Sequence, residues 1–337
     1  MQKHKKFCWI IGCRPNYMKV FKHENQVIIN TGQHFSENMS KVFTKRKNFP
    51  KIKYNLGCKT FGEIIDKIKP ILEIEKPDYV IVTGDTNSTL AGALAAKQLN
   101  IPVIHIEAGL RSWDMTMPEE LNRVIVDKIS DYHLAPSETA VKNLEKDGFY
   151  YNVGYCGSNM IDSCLDECPT KELKEYPKGT YSVLTLHRQS NVDDENILKE
   201  IIEAIAESND FFVWPIHPRT LKNIKKFKLA IPKNIRIIEP LDHKTMVHLM
   251  AFSKKIVTDS GGMQVEAYFL RKPCITIRRE TEWVETVKEG WNILTGTNKI
   301  KIKQAIKDFN PSNFLHSNNS YGIGDANSKI KNFLKTL

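Results

Sequence analysis

Short apolar runs that alternate with helix-length stretches constrain this chain more than any other feature. Tyr79-Val80-Ile81-Val82 and Ile101-Pro102-Val103-Ile104-His105-Ile106 flank a small-residue helical stretch, Leu90 to Leu99. Runs that are apolar on both faces suit strands buried on both sides, as in parallel sheets covered by helices. The pattern predicts strands over Phe7 to Ile11, Val27 to Asn30, Asp78 to Val82, Pro102 to Ile106 and Tyr132 to Leu134. Helices are predicted over Phe61 to Glu73, Ser88 to Gln98, Glu119 to Ile129 and Glu138 to Lys146. Asp162 to Thr180, with Pro169, Pro177 and Gly179 among charges, reads as a linker. The pattern then restarts with strand Ser182 to Leu186, helix Glu195 to Glu207 and strand Phe211 to Ile216. Further strands are expected over Ile235 to Ile238, Lys255 to Val257 and Cys274 to Ile277. A chain of 337 residues exceeds one comfortable core. The expectation is an α/β protein of two domains, 1–165 and 166–320, whose parallel sheets face across a cleft. A last helix, Lys329 to Leu337 within 321–337, would pack back on one of them.

In open α/β sheets, ligands bind outside the carboxyl ends of the strands. Gly84-Asp85-Thr86 and Glu107-Ala108-Gly109-Leu110-Arg111 follow two predicted strands, so Asp85 and Glu107 point toward one site. Pro118-Glu119-Glu120-Leu121-Asn122-Arg123 adds a further carboxylate at a helix start. In the second half, Thr258-Asp259-Ser260-Gly261-Gly262-Met263-Gln264-Val265-Glu266 follows an apolar strand. Two glycines at a strand-to-helix turn let backbone N–H groups approach an anion, and the helix dipole favours it. Ser260 can donate, and Glu266 can accept from ribose hydroxyls; a plain helix cap would use the same residue types. Arg14-Pro15 with Lys19 places two cations at another such turn, suited to a diphosphate or simply to a solvated surface. His187-Arg188 and His217-Pro218-Arg219 end two neighbouring strands, and Gly32-Gln33-His34 is a weaker case of the same kind.

Composition removes several classes. The charge of +10 is spread over lysine-rich helices without interleaved aromatics, which reads as solvated surface rather than a nucleic-acid site. No apolar run approaches the roughly 20 residues that span a bilayer. The Lys-rich start lacks a secretory pattern, so the 7 cysteines are expected to be reduced thiols of a cytoplasmic protein. No G-x-G-x-x-G follows the first strand, and Walker, HExxH and nucleophile-elbow motifs are absent. The expected chemistry therefore uses neither nicotinamide nor a tightly bound metal.

Taken in order, these motifs closely resemble the non-hydrolysing UDP-N-acetylglucosamine 2-epimerase family. The series runs through Gly12-Cys13-Arg14-Pro15, Thr31-Gly32-Gln33-His34, Gly84-Asp85-Thr86, His105 to Arg111 and Pro118 to Arg123. It continues with His187-Arg188, His217-Pro218, Thr258 to Gly262 and Tyr321-Gly322. The resemblance implies a GT-B-like pair of Rossmann-type domains, assembled as a homodimer, with a UDP-sugar between them and no cofactor. It implies Asp85, Glu107 and Glu119 as catalytic carboxylates, with His187 beside the reacting sugar. Arg14, Ser260, Gly261 and Gly262 would hold the diphosphate, Glu266 the ribose, and Lys19 and Arg123 would be supporting cations. Gln33, His34 and His217 resemble positions that bind a second, activating substrate molecule in bacterial members.

The chain departs from the family pattern in places. The stretch from Lys19 to Gln33 is short, as is the loop from Glu107 to Glu119 that carries Arg111 and Trp113. Ser190 stands where the family usually has Glu, and Thr83 where many members have His. Thr281-Glu282-Trp283-Val284-Glu285 is more like branches acting on modified UDP-N-acetylhexosamines, including 6-deoxy-L-sugars and 2,3-diacetamido uronates. The rival readings are a GT-B glycosyltransferase, a hydrolysing epimerase and a non-catalytic nucleotide-sugar sensor.

Overall fold

The computed structural model describes residues 5–32, 49–169, 171, 175–176, 178–311 and 319–337. The chain divides into two compact units, Met1–Ser163 with Ser320–Leu337, and Cys164–Asn319. Each is built on a parallel sheet, so two Rossmann-like domains of the expected α/β, GT-B-like class are present.

The first sheet contains β1 (Phe7–Ile11), β2 (Gln26–Asn30), β3 (Tyr54–Asn55), β4 (Tyr79–Thr83), β5 (Val103–Ile106), β6 (Tyr132–Ala135) and β7 (Val153–Tyr155). Their spatial order is β3-β2-β1-β4-β5-β6-β7, so strand order reverses between β1 and β4. Every residue of β1 is buried, because one face packs on Leu90, Ala93 and Val126 while the other meets Met18, Phe21 and Ile330. The helix Asn87–Gln98 approaches β1 closely: a Cβ added at Gly92 would sit 2.8 Å from Ile10. The final helix, Ala326–Thr336, places Ile330 and Leu334 in this unit's core, and the buried Asp162 accepts from the backbone N–H of Ala326 and Asn327.

The second sheet contains β8 (Ser182–Thr185), β9 (Phe212–Pro215), β10 (Ile235–Ile238), β11 (Ile256–Thr258), β12 (Cys274–Thr276) and β13 (Asn292–Leu294). Its order is β10-β9-β8-β11-β12-β13, with the reversal between β8 and β11. Leu184, Trp214, Val257 and Ile275 face helices Glu195–Ala206 and Lys299–Asp308 on one side. Tyr181, Val213, Ile256 and Cys274 face His243–Phe252 and Gly261–Phe269 on the other.

Three strands go beyond the sequence reading: β3, β7 and β13 are all edge strands of two or three residues. At two or three residues each, they are too short to show a strand pattern. The helix Asn159–Asp166 also occupies the start of the stretch read as a linker. Among the described residues, no helix is long and apolar enough to cross a membrane.

Candidate active site

In both units several of the candidate residues follow strands that flank the reversal of strand order, where open α/β sheets leave a crevice for ligands. In the first unit, β1 leads into the helix Arg14–Lys19, β4 into Gly84-Asp85, and β5 into Glu107. The buried Asn16 ties these ends together: its Oδ1 accepts from the N–H of Gly12 and Cys13, and its Nδ2 donates to the Thr83 carbonyl.

Glu107 is buried and has a left-handed backbone, φ 71°. Its Oε1 lies 2.6 Å from Lys19 Nζ, an ion pair in which both side chains are buried. Its Oε2 is buried and has no hydrogen-bond partner among the described residues. Burial raises the Glu107 pKa; the Lys19 charge opposes that and the Asp85 charge adds to it. Gly84 borders the pair, since a Cβ there would lie 3.1 Å from Lys19 Nζ and 3.3 Å from Glu107 Oε1.

Asp85, partly exposed, is paired with the buried Arg123. A second guanidinium nitrogen of Arg123 pairs with Glu120. Glu120 is buried and also accepts from the N–H groups of Ser112 (3.0 Å) and Trp113 (3.0 Å). One carboxylate thereby fixes both Arg123 and the short loop after Glu107. Glu119 is exposed on the first turn of Pro118–Ile129 and lies outside this buried cluster.

Beneath the loops lies a network the sequence reading did not single out. His105 Nδ1 lies 2.6 Å from Asp127 Oδ1 and Nε2 lies 2.8 Å from the Gly84 carbonyl, so the ring bridges the helix Pro118–Ile129 and the end of β4. Asp127 also accepts from Arg111 (2.6 Å) and from the Gly109 N–H (3.1 Å). Burial would raise the Asp127 pKa, but His105 and Arg111 outweigh it and hold it low. The motif around Glu107 and an aspartate on the following amphipathic helix were the available signals; only tertiary structure shows that they meet.

In the second unit, β8 ends at His187 and β11 at Asp259-Ser260. Asp259 is fully buried and accepts from the backbone N–H of His187 (3.0 Å) and Arg188 (2.9 Å) and from Asn191 Nδ2 (3.2 Å). His187 Nδ1 lies 3.1 Å from its Oδ1, while the ring remains 40% exposed. Burial would raise the Asp259 pKa, but the His187 charge and these hydrogen bonds hold it low. The His217 ring lies 5.7 Å from that of His187, and its Nδ1 accepts from the Arg219 N–H, capping Pro218–Lys226.

Ser260 stands at the N-cap position of the helix Gly261–Phe269, without a side-chain cap bond, and Gly261 and Gly262 lie in its first turn. Gly261 approaches the next segment closely: a Cβ would lie 2.5 Å from Glu282 Oε1, at the tip of its side chain, and 3.4 Å from Trp283 Nε1. The segment that departs from the common family pattern thus packs against the Ser260-Gly261-Gly262 turn. Glu266 is buried one turn on, 2.8 Å from His243 Nε2. Arg14 opens its helix, and Gln33 and His34 lie outside the described residues.

Against known proteins, the UDP-N-acetylglucosamine 2-epimerase family matches residues 19–335. A UDP-N-acetylglucosamine 2-epimerase homolog of Methanococcus maripaludis is 43% identical, over 97% of this chain and 98% of the relative. The UDP-2,3-diacetamido-2,3-dideoxy-D-glucuronate 2-epimerase of Pseudomonas aeruginosa is 37% identical, over 98% of this chain and 100% of that one. The crystal structure of Methanocaldococcus jannaschii UDP-GlcNAc 2-epimerase in complex with UDP-GlcNAc and UDP superposes with a TM-score of 0.91. That comparison has 39% identity and covers 98% of this chain and 100% of that one.

Proposed function

The chain belongs to the UDP-N-acetylglucosamine 2-epimerase family, and from that membership we propose that it inverts C2 of a UDP-N-acetylhexosamine for glycan synthesis. The substrate is UDP-GlcNAc or a modified relative, such as a 6-deoxy-L-sugar or a diacetamido uronate. The observation that carries the reading is Glu107, a buried carboxylate at a strand end with one oxygen on Lys19 and the other without a partner among the described residues.

The hexose C2 is not next to a ring carbonyl, so direct deprotonation would leave an unstabilised carbanion. Elimination avoids it. A base takes the C2 proton as the C1–O bond breaks, and UDP leaves with the bonding pair, giving a 2-acetamidoglucal. A proton then returns to C2 from the opposite face, and a UDP oxygen adds to C1.

This route needs a base, an acid on the other face, and donors for the leaving diphosphate. Glu107 and Asp85, with Glu119, serve the proton transfers. Lys19 and Arg123 hold two of these acids in place through their ion pairs. His187, fixed through Nδ1 by Asp259, offers Nε2 to the departing oxygen. Arg14 and the Ser260-Gly261-Gly262 turn grip the diphosphate, and Glu266 accepts from the ribose. His217, with Gln33 and His34, contributes to a second substrate site, and the working form is a homodimer.

The test incubates the protein with UDP-GlcNAc and a panel of modified UDP-N-acetylhexosamines in deuterated water, followed by proton NMR. Epimer carrying deuterium at C2, with a trace of glycal and UDP, is the expected result. Absence of exchange with every member of the panel would refute the reading. Free N-acetylmannosamine would instead indicate hydrolysis, and acceptor-dependent UDP release without exchange a glycosyltransferase. Sedimentation as a monomer would remove the dimer.

A further inference from the structure

The second unit buries a titratable residue that the reaction does not use. His243 is the first residue of helix His243–Phe252 and is 3% exposed. Its Nε2 lies 2.8 Å from Glu266 Oε1, and its Nδ1 pairs with Glu167 just beyond helix Asn159–Asp166. A neutral imidazole has one donor and one acceptor nitrogen, so two facing carboxylates require a proton on each.

That cation stands at a helix N-terminus, where the dipole opposes positive charge. The helix already has its cap, because Asp242 accepts from the Thr245 N–H at 2.8 Å. Neither helix propensity nor capping explains a histidine at this position; the two carboxylates do. Burial pulls the His243 pKa down, but the Glu266 charge and the hydrogen bonds to Glu167 and Glu266 leave it raised.

Glu266 lies on the helix that begins with the Gly261-Gly262 turn, so its orientation decides what it presents to a nucleotide held there. We propose that His243 is a positioning residue for nucleotide binding: held by Glu167, it donates to one oxygen of Glu266 and fixes that carboxylate to accept the ribose hydroxyls. The inference rests on the assignment of Glu266 to the ribose and adds the device that aims it. Its consequence is specific to the diol. His243 strengthens binding of nucleotides that carry ribose hydroxyls and leaves the diphosphate grip unchanged.

The experiment measures binding of UDP and 2′,3′-dideoxy-UDP by calorimetry, after circular dichroism has established folding. The proteins are the full chain and its His243→Phe, His243→Gln, His243→Asn and Glu266→Ala variants. The parent chain should prefer UDP by about tenfold or more, the scale of a hydrogen bond to a charged group. Glu266→Ala and His243→Phe should both abolish that preference while binding dideoxy-UDP within about twofold of the parent. His243→Gln, which keeps a donor near Nε2, should restore much of the preference; His243→Asn, with a donor nearer Nδ1, should not. In turnover, His243→Phe should raise KM about tenfold and change kcat little.

Full UDP preference in His243→Phe, with loss in Glu266→Ala, would reduce His243 to packing and overturn the inference. Equal rescue by Gln and Asn would do the same. Full preference in Glu266→Ala would remove the ribose assignment itself, and this inference with it. Should the Phe variant fail to fold, the Gln–Asn contrast decides the question alone.

Discussion

Replacing Lys19 with methionine removes one charge from a pair whose side chains are only 4% and 7% exposed. At 2.6 Å, Coulomb's law with an effective dielectric near 20 gives about 6 kcal/mol of attraction. Desolvation of both groups offsets part of this. Breaking a buried pair from one side nevertheless costs about 3–5 kcal/mol, because the surviving charge stays buried and uncompensated. Glu107 limits the loss by taking up a proton. Burial already raises its pKa against the opposing Lys19 charge, and without that charge it rises further. A carboxyl with a folded pKa above its unfolded value costs the folded state stability as pH climbs between the two. The deficit of Lys19→Met relative to the parent should therefore be small near pH 5 and grow to about 3 kcal/mol by pH 8. For a unit of this size, that lowers the melting temperature by roughly 6–12 °C. Thermal unfolding followed by circular dichroism across this pH range measures it. Glu107→Gln in the Lys19→Met background removes the orphaned charge and should recover about 2 kcal/mol at pH 8. A deficit that does not vary with pH, or a double variant no more stable than Lys19→Met, would refute the reasoning.

Other substitutions separate the roles of the two units. Glu107→Gln and Asp85→Asn should each slow deuterium incorporation at C2 by at least about 100-fold while binding UDP normally by calorimetry; normal exchange rates would remove that residue from the chemistry. Asp259→Asn places a donor where His187, Arg188 and Asn191 all donate, and should cost about 2–4 kcal/mol at pH 7. Because the folded pKa of Asp259 is held low, its contribution is present above the unfolded value and lost as pH falls through the folded one. The difference between parent and variant in pH-dependent melting should therefore shrink in acid. Gly261→Ala brings a Cβ to 2.5 Å from Glu282 Oε1, so the Glu282 side chain must shift and UDP binding should weaken by about two- to threefold, as calorimetry would show. Gly92→Ala meets Ile10 at 2.8 Å and should cost about 1–3 kcal/mol in thermal melting with KM unchanged.

Strands β1, β4, β5, β8 and β11 were legible in the sequence because both their faces are covered, which demands unbroken apolar runs and leaves short motifs at their carboxyl ends. Asp85, Glu107, His187 and Ser260 could be placed at strand ends for that reason. The edge strands β3, β7 and β13 left no such trace, since at two or three residues each is too short to show a pattern. The partnership of Lys19 with Glu107 spans 88 residues, and that of Arg123 with Asp85 spans 38. No local pattern distinguishes such cations from solvated ones. Glu119 and Glu120 show the limit most plainly. They are adjacent and chemically equivalent, yet helix orientation exposes the first and buries the second against Arg123. His105, Asp127, Asp259 and His243 are likewise decided only by tertiary structure. A buried polar group is defined by the partner that compensates its desolvation, and here those partners come from distant parts of the chain. The sequence alone determined the layered parallel fold and the strand ends where chemistry gathers. Which acids are buried, which are paired and which remain in solvent was decided by packing.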